Sequence, residues 1–393
     1  MPATGPDPIY LDHAATTPVR EEVREAMAPF LGASFGNPSS THRWGREARA
    51  ALDEARERVA RTLGAKTDEI CFTSGGTEAD NMAVLGVWRA MRKKNRPACV
   101  STPIEHKAVL GAVQQVEAEG GETRMLSVSA DGTVDPASAR DALRDDVGVC
   151  SVMWVNNETG VIHPVPEIAA LAKSAGAIFH TDAAQAFGKV EIDASTQHFD
   201  VLSISGHKIC APKGIGALFI RRGTPMDPLM HGGSQDRGRR PGTENVAAAV
   251  GLACAAELVV AEREREDERL RALRDELERA IVERVPDAVV HGRSSPRAPH
   301  ILNVSIPGVE SESLLMALDL KGIAASGGSA CQSGSVSGSH VLKAMGVRAD
   351  LANAAIRMSL GCLTTDVCVR RVAEVFPALV AKARGMAEAG RVA

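Results

Sequence analysis

Hydrophobic positions along the chain repeat with two different periods, and segments of the two kinds follow one another. Apolar residues three and four apart in "EEVREAMAPFL", "REARAALDEARERVARTLG" and "VPEIAALAKSAG" predict amphipathic helices. Short apolar runs predict buried strands in "EICFTS", "ACVST", "VCSVMWVN", "AIFHTD", "VLSISG" and "GALFIR". This alternation is typical of an α/β protein, in which helices cover both faces of a mostly parallel sheet.

The pattern changes near residue 259. Residues 259–285, "VVAEREREDERLRALRDELERAIVERV", carry many opposite charges three and four apart, which predicts a long, exposed linker helix. The chain has 393 residues, which is more than the roughly 250–300 residues that a single hydrophobic core usually stabilises. We therefore predict two domains. The large domain covers residues 16–258. The smaller α+β domain covers residues 259–393 together with 1–15, and ends in a strand, "NAAIRMSLG", and two closing helices.

Composition excludes several classes of protein. The net charge is −4 and no dense Lys/Arg tract occurs, so neither nucleic acid nor an anionic membrane is an expected partner. The N-terminus lacks the pattern of a secretory signal, and no apolar stretch reaches membrane-spanning length. Eight cysteines are scattered without a Cys-x-x-Cys pair, which indicates neither a disulfide framework nor a zinc site. We therefore expect a cytoplasmic protein with reduced thiols.

A lysine and an aspartate lie at the ends of two predicted strands. Lys208 follows "VLSISG", and the carboxyl ends of parallel strands border the crevice where such sheets bind ligands. From the residues alone, Lys208 is a phosphate clamp, a Schiff-base amine or a surface lysine. Asp182 ends "AIFHTD", where it either caps a helix or pairs with a cation that offsets its burial. Pyridoxal phosphate fits both residues, because its pyridinium nitrogen pairs with Asp and its aldehyde forms an imine with Lys.

Three further segments are compatible with that cofactor. In "FTSGGTEADN", Gly76 and Thr77 begin a helix after a strand, which suits a phosphate group; the alternative is a capping box of Thr77 with Asp80. His106 follows another strand and is either structural or a ring-stacking acid or base. The two amides of "WVNNETG" are either turn-forming or ligand-binding. The order of these segments is the one that a large pyridoxal-phosphate domain requires.

Several longer motifs show that the sequence resembles the cysteine desulfurases, which are fold-type I pyridoxal-phosphate enzymes of the class V aminotransferase group. The motifs are "YLDHAATTP", "SGGTEADN", "EHKAV", "VNNETG", "HTDAAQAFGK", "SGHKICAPKGIG", "HGGSQDRGRRPGTEN", "SACQSGS" and "IRMSLG". Together they extend over nearly the whole chain. The "SAC" motif within a Gly/Ser-rich loop resembles the long-loop class of these enzymes.

The resemblance implies roles for the matching residues. Lys208 bonds to the cofactor and later moves the α-proton of the substrate, Asp182 binds the pyridinium nitrogen, and His106 stacks on the ring and acts as acid or base. Arg357 and Asn157 bind the substrate, and a planar guanidinium is well suited to its carboxylate. The other implied cofactor contacts are Asn157 and Gln185 at the phenolic oxygen, Gly76, Thr77, Ser205 and His207 at the phosphate, and Thr243 at the phosphate of a neighbouring subunit.

The resemblance also implies a reaction. The thiolate of Cys331 attacks the sulfur of L-cysteine, which yields L-alanine and a persulfide on Cys331. A Gly/Ser-rich segment around Cys331 suits the delivery of that sulfur to an acceptor or iron–sulfur scaffold protein. The implied protein is a homodimer without a metal site, apart from Cys331 as a conceivable cluster ligand.

The sequence departs from the usual pattern of this family at Gly327, Gln332, Gly338 and Cys362, none of which removes a catalytic group. Two alternative functions remain at this stage. A class V aminotransferase for a small amino acid would use Lys208 and Asp182 but not Cys331. A sulfur-carrying scaffold with a degenerate cofactor site would use neither Lys208 nor Asp182.

Overall fold

The computed structural model describes residues 7–327 and 338–392, with side chains to residue 385. Cys331 and its neighbours at 328–337 therefore lie outside the described residues. The strands, in chain order, are β1 (Ile9–Tyr10), β2 (Ile70–Thr73), β3 (Ala98–Ser101), β4 (Glu122–Met125), β5 (Val147–Ser151), β6 (Ile178–Asp182), β7 (Val201–Ser205), β8 (Gly216–Ile220), β9 (Val289–Val290), β10 (Ile301–Ser305), β11 (Ile323–Ala324), β12 (Ser326–Gly327) and β13 (Ala355–Ser359).

Helices connect most of these strands. They are α1 (Glu21–Met27), α2 (Arg43–Thr62), α3 (Gly76–Asn81), α4 (Val87–Arg92), α5 (Lys107–Ala118), α6 (Pro136–Ala142), α7 (Val165–Ser174), α8 (Val246–Ala261), α9 (Arg263–Arg284), α10 (Ser311–Asp319), α11 (His340–Ala344), α12 (Ala349–Asn353) and α13 (Asp366–Val392). A π turn, Met82–Gly86, joins α3 to α4. Short 3₁₀ turns cover Ala28–Leu31, Thr67–Glu69, Gly206–Lys208 and Gln235–Gly238. Within the described residues, no helix is long and apolar enough to cross a membrane.

The larger sheet has seven strands in the order β2-β8-β7-β6-β5-β3-β4. The five strands from β7 to β4 are parallel, and β8 runs antiparallel to both β7 and β2. All residues of β3, β5, β7 and β8 are buried, as expected for strands covered on both faces. The predicted α/β fold with a mostly parallel sheet is confirmed. The edge strand β4 is half exposed and was not among the predicted strands.

A smaller antiparallel sheet, β12-β13-β10-β9, packs against α9, α10 and α13. Its core contains residues such as Leu302, Ile356 and Phe376. Strand β1 from the N-terminus pairs with β11, which places the first described residues beside this sheet. The division into two domains, with limits at 16 and 258 and both termini in the smaller one, stays a prediction.

Two expectations about helices are wrong. The segment around α9 is not an exposed linker, because Leu270, Leu277 and Ile281 form an apolar stripe that packs into the smaller core. Charged side chains of α9 are also buried. One of them is Arg274, whose guanidinium donates a hydrogen bond to the Ala298 carbonyl at 2.8 Å. The chain closes with one helix after β13 rather than two, because α13 continues through Pro377 without a break.

Candidate active site

A cavity of about 620 Å³ lies where the chain leaves the carboxyl ends of the parallel strands. The helix starts and turns that follow these strands line it, together with the N-terminal segment and β13. Ten of the predicted site residues lie in its wall: Gly76, Thr77, His106, Asn157, Asp182, Gln185, Ser205, His207, Lys208 and Arg357. Thr243 is exposed and lies outside this wall. Cys331 lies outside the described residues.

Lys208 ends a tight turn, Gly206–Lys208, directly after β7. Its Nζ atom donates hydrogen bonds to the carbonyl oxygens of Ala14 at 2.6 Å and Ala15 at 2.7 Å. These carbonyls belong to the N-terminal motif "YLDHAATTP", so this motif positions the amine. An amine held by neutral carbonyls at a strand end is well placed for covalent chemistry.

Asp182 is the last residue of β6, and one of its carboxylate oxygens accepts the Ala184 N–H at 2.8 Å. Burial raises the pKa of Asp182, while His106 and Lys208 act in the opposite direction. Asp80 also lines the cavity, and its Oδ1 atom accepts no hydrogen bond from the residues that the structure describes. Burial and the charge of Asp182 raise the pKa of Asp80 well above its usual range. Two buried carboxyl groups here favour a cationic ligand.

The start of α3 forms a second part of the wall. Gly76 packs closely on Ser205, because a Cβ atom at position 76 would lie 3.3 Å from the Ser205 Cβ. Thr77, Ser205 and His207 surround this helix start, whose backbone N–H groups suit an anion. The alternative capping box is wrong, since Gly75 is the N-cap and no side chain caps the helix.

His106 is the N-cap of α5, and its Nδ1 atom accepts the Ala108 N–H at 3.2 Å. A neutral ring that accepts at Nδ1 carries its proton on Nε2. Burial lowers the pKa of His106, whereas the Asp182 carboxylate raises it. The capping bond therefore fixes the tautomer of a neutral imidazole in the cavity wall.

Arg357 lies on β13, opposite Ser326 of β12, and is only 2% exposed. Its two terminal nitrogens donate to the Asn157 carbonyl at 2.8 Å and to Asp12 Oδ1 at 2.9 Å. Its Nε atom has no acceptor within the described part of the chain. A buried guanidinium with an unused donor suits a substrate carboxylate.

The two amides of "WVNNETG" separate into different roles. Asn156 is fully buried and structural, because its side-chain oxygen accepts the N–H groups of Glu158 and Thr159. Asn157 is half-buried and lines the cavity. Gln185 also lines it, but its amide already donates to the Ala14 carbonyl at 2.9 Å.

Sequence reasoning missed a buried carboxyl group, Glu158, at the rim. Ser339 donates a hydrogen bond to Glu158, and burial raises the pKa of Glu158 to about 7. Ser339 is the N-cap of α11, which packs Val341 and Leu342 into the larger core and places His340 in the cavity wall. Glu158 stands inside the "VNNETG" motif, yet its partner is 181 positions away and no local pattern indicates it.

The sequence and structure of known proteins resemble this chain over nearly its full length. The chain matches the Aminotransferase class-V family over residues 9–372. It is 46% identical to the cysteine desulfurase IscS of Dictyoglomus turgidum, with 96% of this chain and 95% of that protein aligned. It is 45% identical to the cysteine desulfurase NifS of Azotobacter vinelandii, with 96% of this chain and 94% of that protein aligned. A solved NifS-like protein superimposes with a TM-score of 0.88 at 34% identity, covering 95% of this chain and all of that one.

The chain belongs to the class-V aminotransferase family. Within that family it groups with the cysteine desulfurases, which are pyridoxal-phosphate enzymes. The residues of this chain fit the cofactor on structural grounds. Buried Asp182 suits the pyridinium nitrogen, Lys208 suits the aldehyde, and the helix start at Gly76 suits the phosphate.

Proposed function

We propose that this chain converts L-cysteine to L-alanine and retains the sulfur as a persulfide on Cys331. The observation that carries this proposal is the convergence of Lys208, Asp182, His106 and Arg357 on one cavity. Bound pyridoxal phosphate supplies an electron sink that weakens the bonds at the α-carbon of an amino acid. The family shares this chemistry, so the identity of the substrate rests on the side chains that surround it.

In this proposal Arg357 selects an α-carboxylate. Its Nε donor is unused, and its terminal nitrogens already hold the Asn157 carbonyl and the Asp12 carboxylate. An incoming carboxylate shares the guanidinium with Asp12, which keeps the planar group oriented before the substrate arrives. The substrate amine then lies towards Lys208 on the far wall.

Proton transfer falls to Lys208 and His106. The Lys208 amine removes the α-proton and later returns a proton to the product. His106 carries its proton on Nε2, because Nδ1 is occupied by the Ala108 N–H. It therefore acts first as a proton donor. Asn157 and Gln185 would hold the phenolic oxygen of the cofactor, and Thr77, Ser205 and His207 would hold its phosphate.

The positions of its neighbours support Cys331 as the thiol of this step. Ser326 pairs with Arg357, and Ser339 bonds to Glu158, so both ends of the segment begin at the cavity. Cys331 is four positions after Gly327, a contour length of at most about 14 Å. The Cys331 thiolate forms an S–S bond as the C–S bond of cysteine breaks, and the carbon fragment takes up a proton to become alanine.

Further proposals concern assembly and context. Thr243 is exposed on its own subunit, which supports a homodimer in which it reaches the phosphate site of the partner. The persulfide passes to an iron–sulfur scaffold or another sulfur-acceptor protein in the cytoplasm. Neither nucleic acid nor a membrane takes part.

A product assay separates this function from aminotransfer. Incubation with L-cysteine and a thiol reductant should release alanine and sulfide in equal amounts. Cys331→Ser should abolish sulfide release while the protein retains its yellow cofactor, and Cys368→Ser should behave as the wild type. Undiminished turnover by Cys331→Ser, with a keto acid as product, would favour the aminotransferase alternative.

A further inference from the structure

A second cavity, of about 60 Å³, lies behind Lys208 and is lined by two cysteines from different parts of the chain. Cys210 follows Lys208 by two residues, and Cys362 follows the end of β13, the strand that carries Arg357. Their Sγ atoms are 3.9 Å apart. The proposed reaction does not use either thiol, and the other described cysteines do not contact this pair.

The backbone holds each cysteine in place. Cys210 has a left-handed conformation with φ = 64°, and its N–H donates to Thr17 Oγ1 at 2.8 Å. Gly361, just before Cys362, lies against the His13 ring, because a Cβ atom there would be 2.2 Å from His13 Cδ2. The Arg269 guanidinium also bonds to the carbonyls of Gly361 and Thr364. The two backbone segments are therefore held in place, and the two sulfurs face each other at 3.9 Å.

The surroundings make one thiol reactive and the other accessible. The hydrogen bond from Cys362, with Thr17 and the positive charges of Lys189 and Arg20, lowers the pKa of Cys210 to about 6. Cys210 is 8% exposed and faces the small cavity, whereas Cys362 is exposed to solvent. The same hydrogen bond and burial raise the pKa of Cys362, so that Cys362 is the protonated partner of the pair. Burial also raises the pKa of the thiols of Cys71, Cys99 and Cys150, which have no such partner among the described cysteines.

We propose that Cys210 and Cys362 form a reversible disulfide when the protein meets a peroxide. The Cys210 thiolate attacks one peroxide oxygen, which forms an S–O bond, breaks the O–O bond and releases hydroxide. The Cys362 sulfur then displaces hydroxide from the sulfenic acid and forms the S–S bond. Overall, two thiols and one hydrogen peroxide give one disulfide and two waters. The sulfurs must approach by about 2 Å to reach the S–S length of about 2.05 Å.

Such a bond would join the turn that positions Lys208 to the turn that follows β13. The Lys208 amine and the Arg357 guanidinium would then be tethered through a short covalent path. Because substrate entry to such sites commonly requires small relative movements of the walls, the disulfide should slow the binding of L-cysteine. Formation of the bond is independent of the proposed function, whereas this slowing depends on it.

The test uses the Cys331→Ser holoprotein, so that oxidation of Cys331 cannot contribute. After treatment with hydrogen peroxide and alkylation, peptide mass spectrometry should find residues 209–213 linked to residues 358–370, with loss of the link on reduction. Cys368 lies in the second peptide, so Cys331→Ser/Cys368→Ser must keep the link and Cys331→Ser/Cys362→Ser must lose it. Absence of the link at doses that oxidise Cys210, or a link through Cys368, would overturn the proposal.

A second measurement tests the consequence. The rate at which L-cysteine changes the visible absorbance of the bound cofactor should fall several-fold in the oxidised Cys331→Ser protein and recover with dithiothreitol. The Cys331→Ser/Cys362→Ser protein should show no such change. If the disulfide is verified but the rate of the absorbance change is unchanged, the proposed effect on substrate entry is refuted. The proposal that Cys210 and Cys362 form a disulfide would still stand.

Discussion

The Arg357 guanidinium donates to the Asp12 carboxylate at 2.9 Å and so joins two motifs that are 345 positions apart. The pair links the smaller sheet to the N-terminal segment at the wall of the cavity. It also explains how a nearly buried cation is stabilised before a substrate carboxylate is present. Arg357 thus has a structural partner and a proposed ligand on the same planar group.

This dual role predicts the result of a conservative change. Arg357→Lys should raise the KM for L-cysteine by at least about tenfold, because a lysine cannot hold Asp12, the Asn157 carbonyl and a carboxylate in one plane. The visible absorbance of the bound cofactor should remain. Steady-state kinetics check the prediction. The control is Arg348→Lys, which changes an exposed arginine at the N-cap of α12. An unchanged KM would contradict the assignment of Arg357.

Removal of the amine at position 208 should have a spectroscopic effect. Lys208→Ala should lose the covalent cofactor and its visible absorbance after dialysis, because the amine that forms the imine with the aldehyde is removed. Lys173→Ala changes an exposed lysine on α7 and should keep the full absorbance. If borohydride reduction of Lys208→Ala fixes the cofactor covalently to another lysine, as found by peptide mass spectrometry, the assignment of Lys208 is contradicted.

The charge of Asp182 should matter more than its shape. Asp182→Asn can still accept the Ala184 N–H but cannot pair with a pyridinium. We expect kcat to fall by about 100-fold or more, at the scale of a lost charge-assisted contact in a buried site. Cofactor absorbance and sulfide release should be measured together. Full activity in Asp182→Asn would mean that the neighbouring Asp80 carries the charge.

Glu158 should make stability depend on pH. Its pKa is about 7 in the folded chain against 4.5 for a free glutamate, so the folded state holds the proton more tightly. The contribution of Glu158 to the free energy of unfolding should therefore be fully present below about pH 4.5. It should be lost as the pH rises to 7, a change of about 3 kcal/mol. Glu158→Gln keeps the acceptor for Ser339 and should remove that part of the slope.

Thermal unfolding of the holoprotein between pH 5 and 8 measures the effect of Glu158. Glu105 is a useful comparison, because burial raises its pKa to about 8 and its effect extends to higher pH. Identical pH slopes for wild type and Glu158→Gln would show that Glu158 is ionised throughout this range.

Local patterns were sufficient to predict the parallel sheet and a few residues of the cavity wall, such as Lys208 and Asp182, whereas Gln185, Ser205, His207 and Arg357 were named only through the resemblance to a known family. The strands of that sheet are short apolar runs; Asp182 is the last residue of one of them, and Lys208 ends the turn that follows another. The antiparallel direction of β8 was not predicted, because the apolar pattern of a five-residue buried strand does not indicate whether it runs parallel or antiparallel to its neighbours. The packing of α9 was missed because its charges outnumber the narrow apolar stripe of Leu270, Leu277 and Ile281.

Contacts between distant residues were beyond sequence reasoning. Glu158 with Ser339, Arg357 with Asp12 and Cys210 with Cys362 each depend on the meeting of two segments. All of these residues except Ser339 stand in a motif or at a departure visible in the sequence, yet nothing local indicates the partner of any of them.

Peptide mass spectrometry of the holoprotein after brief mixing with L-cysteine, without reductant, tests the central claim most directly. The account predicts a mass increase of one sulfur atom on the peptide that contains Cys331, lost on later reduction and absent from Lys208→Ala. A sulfur found on another cysteine, or on none while alanine accumulates, would contradict it.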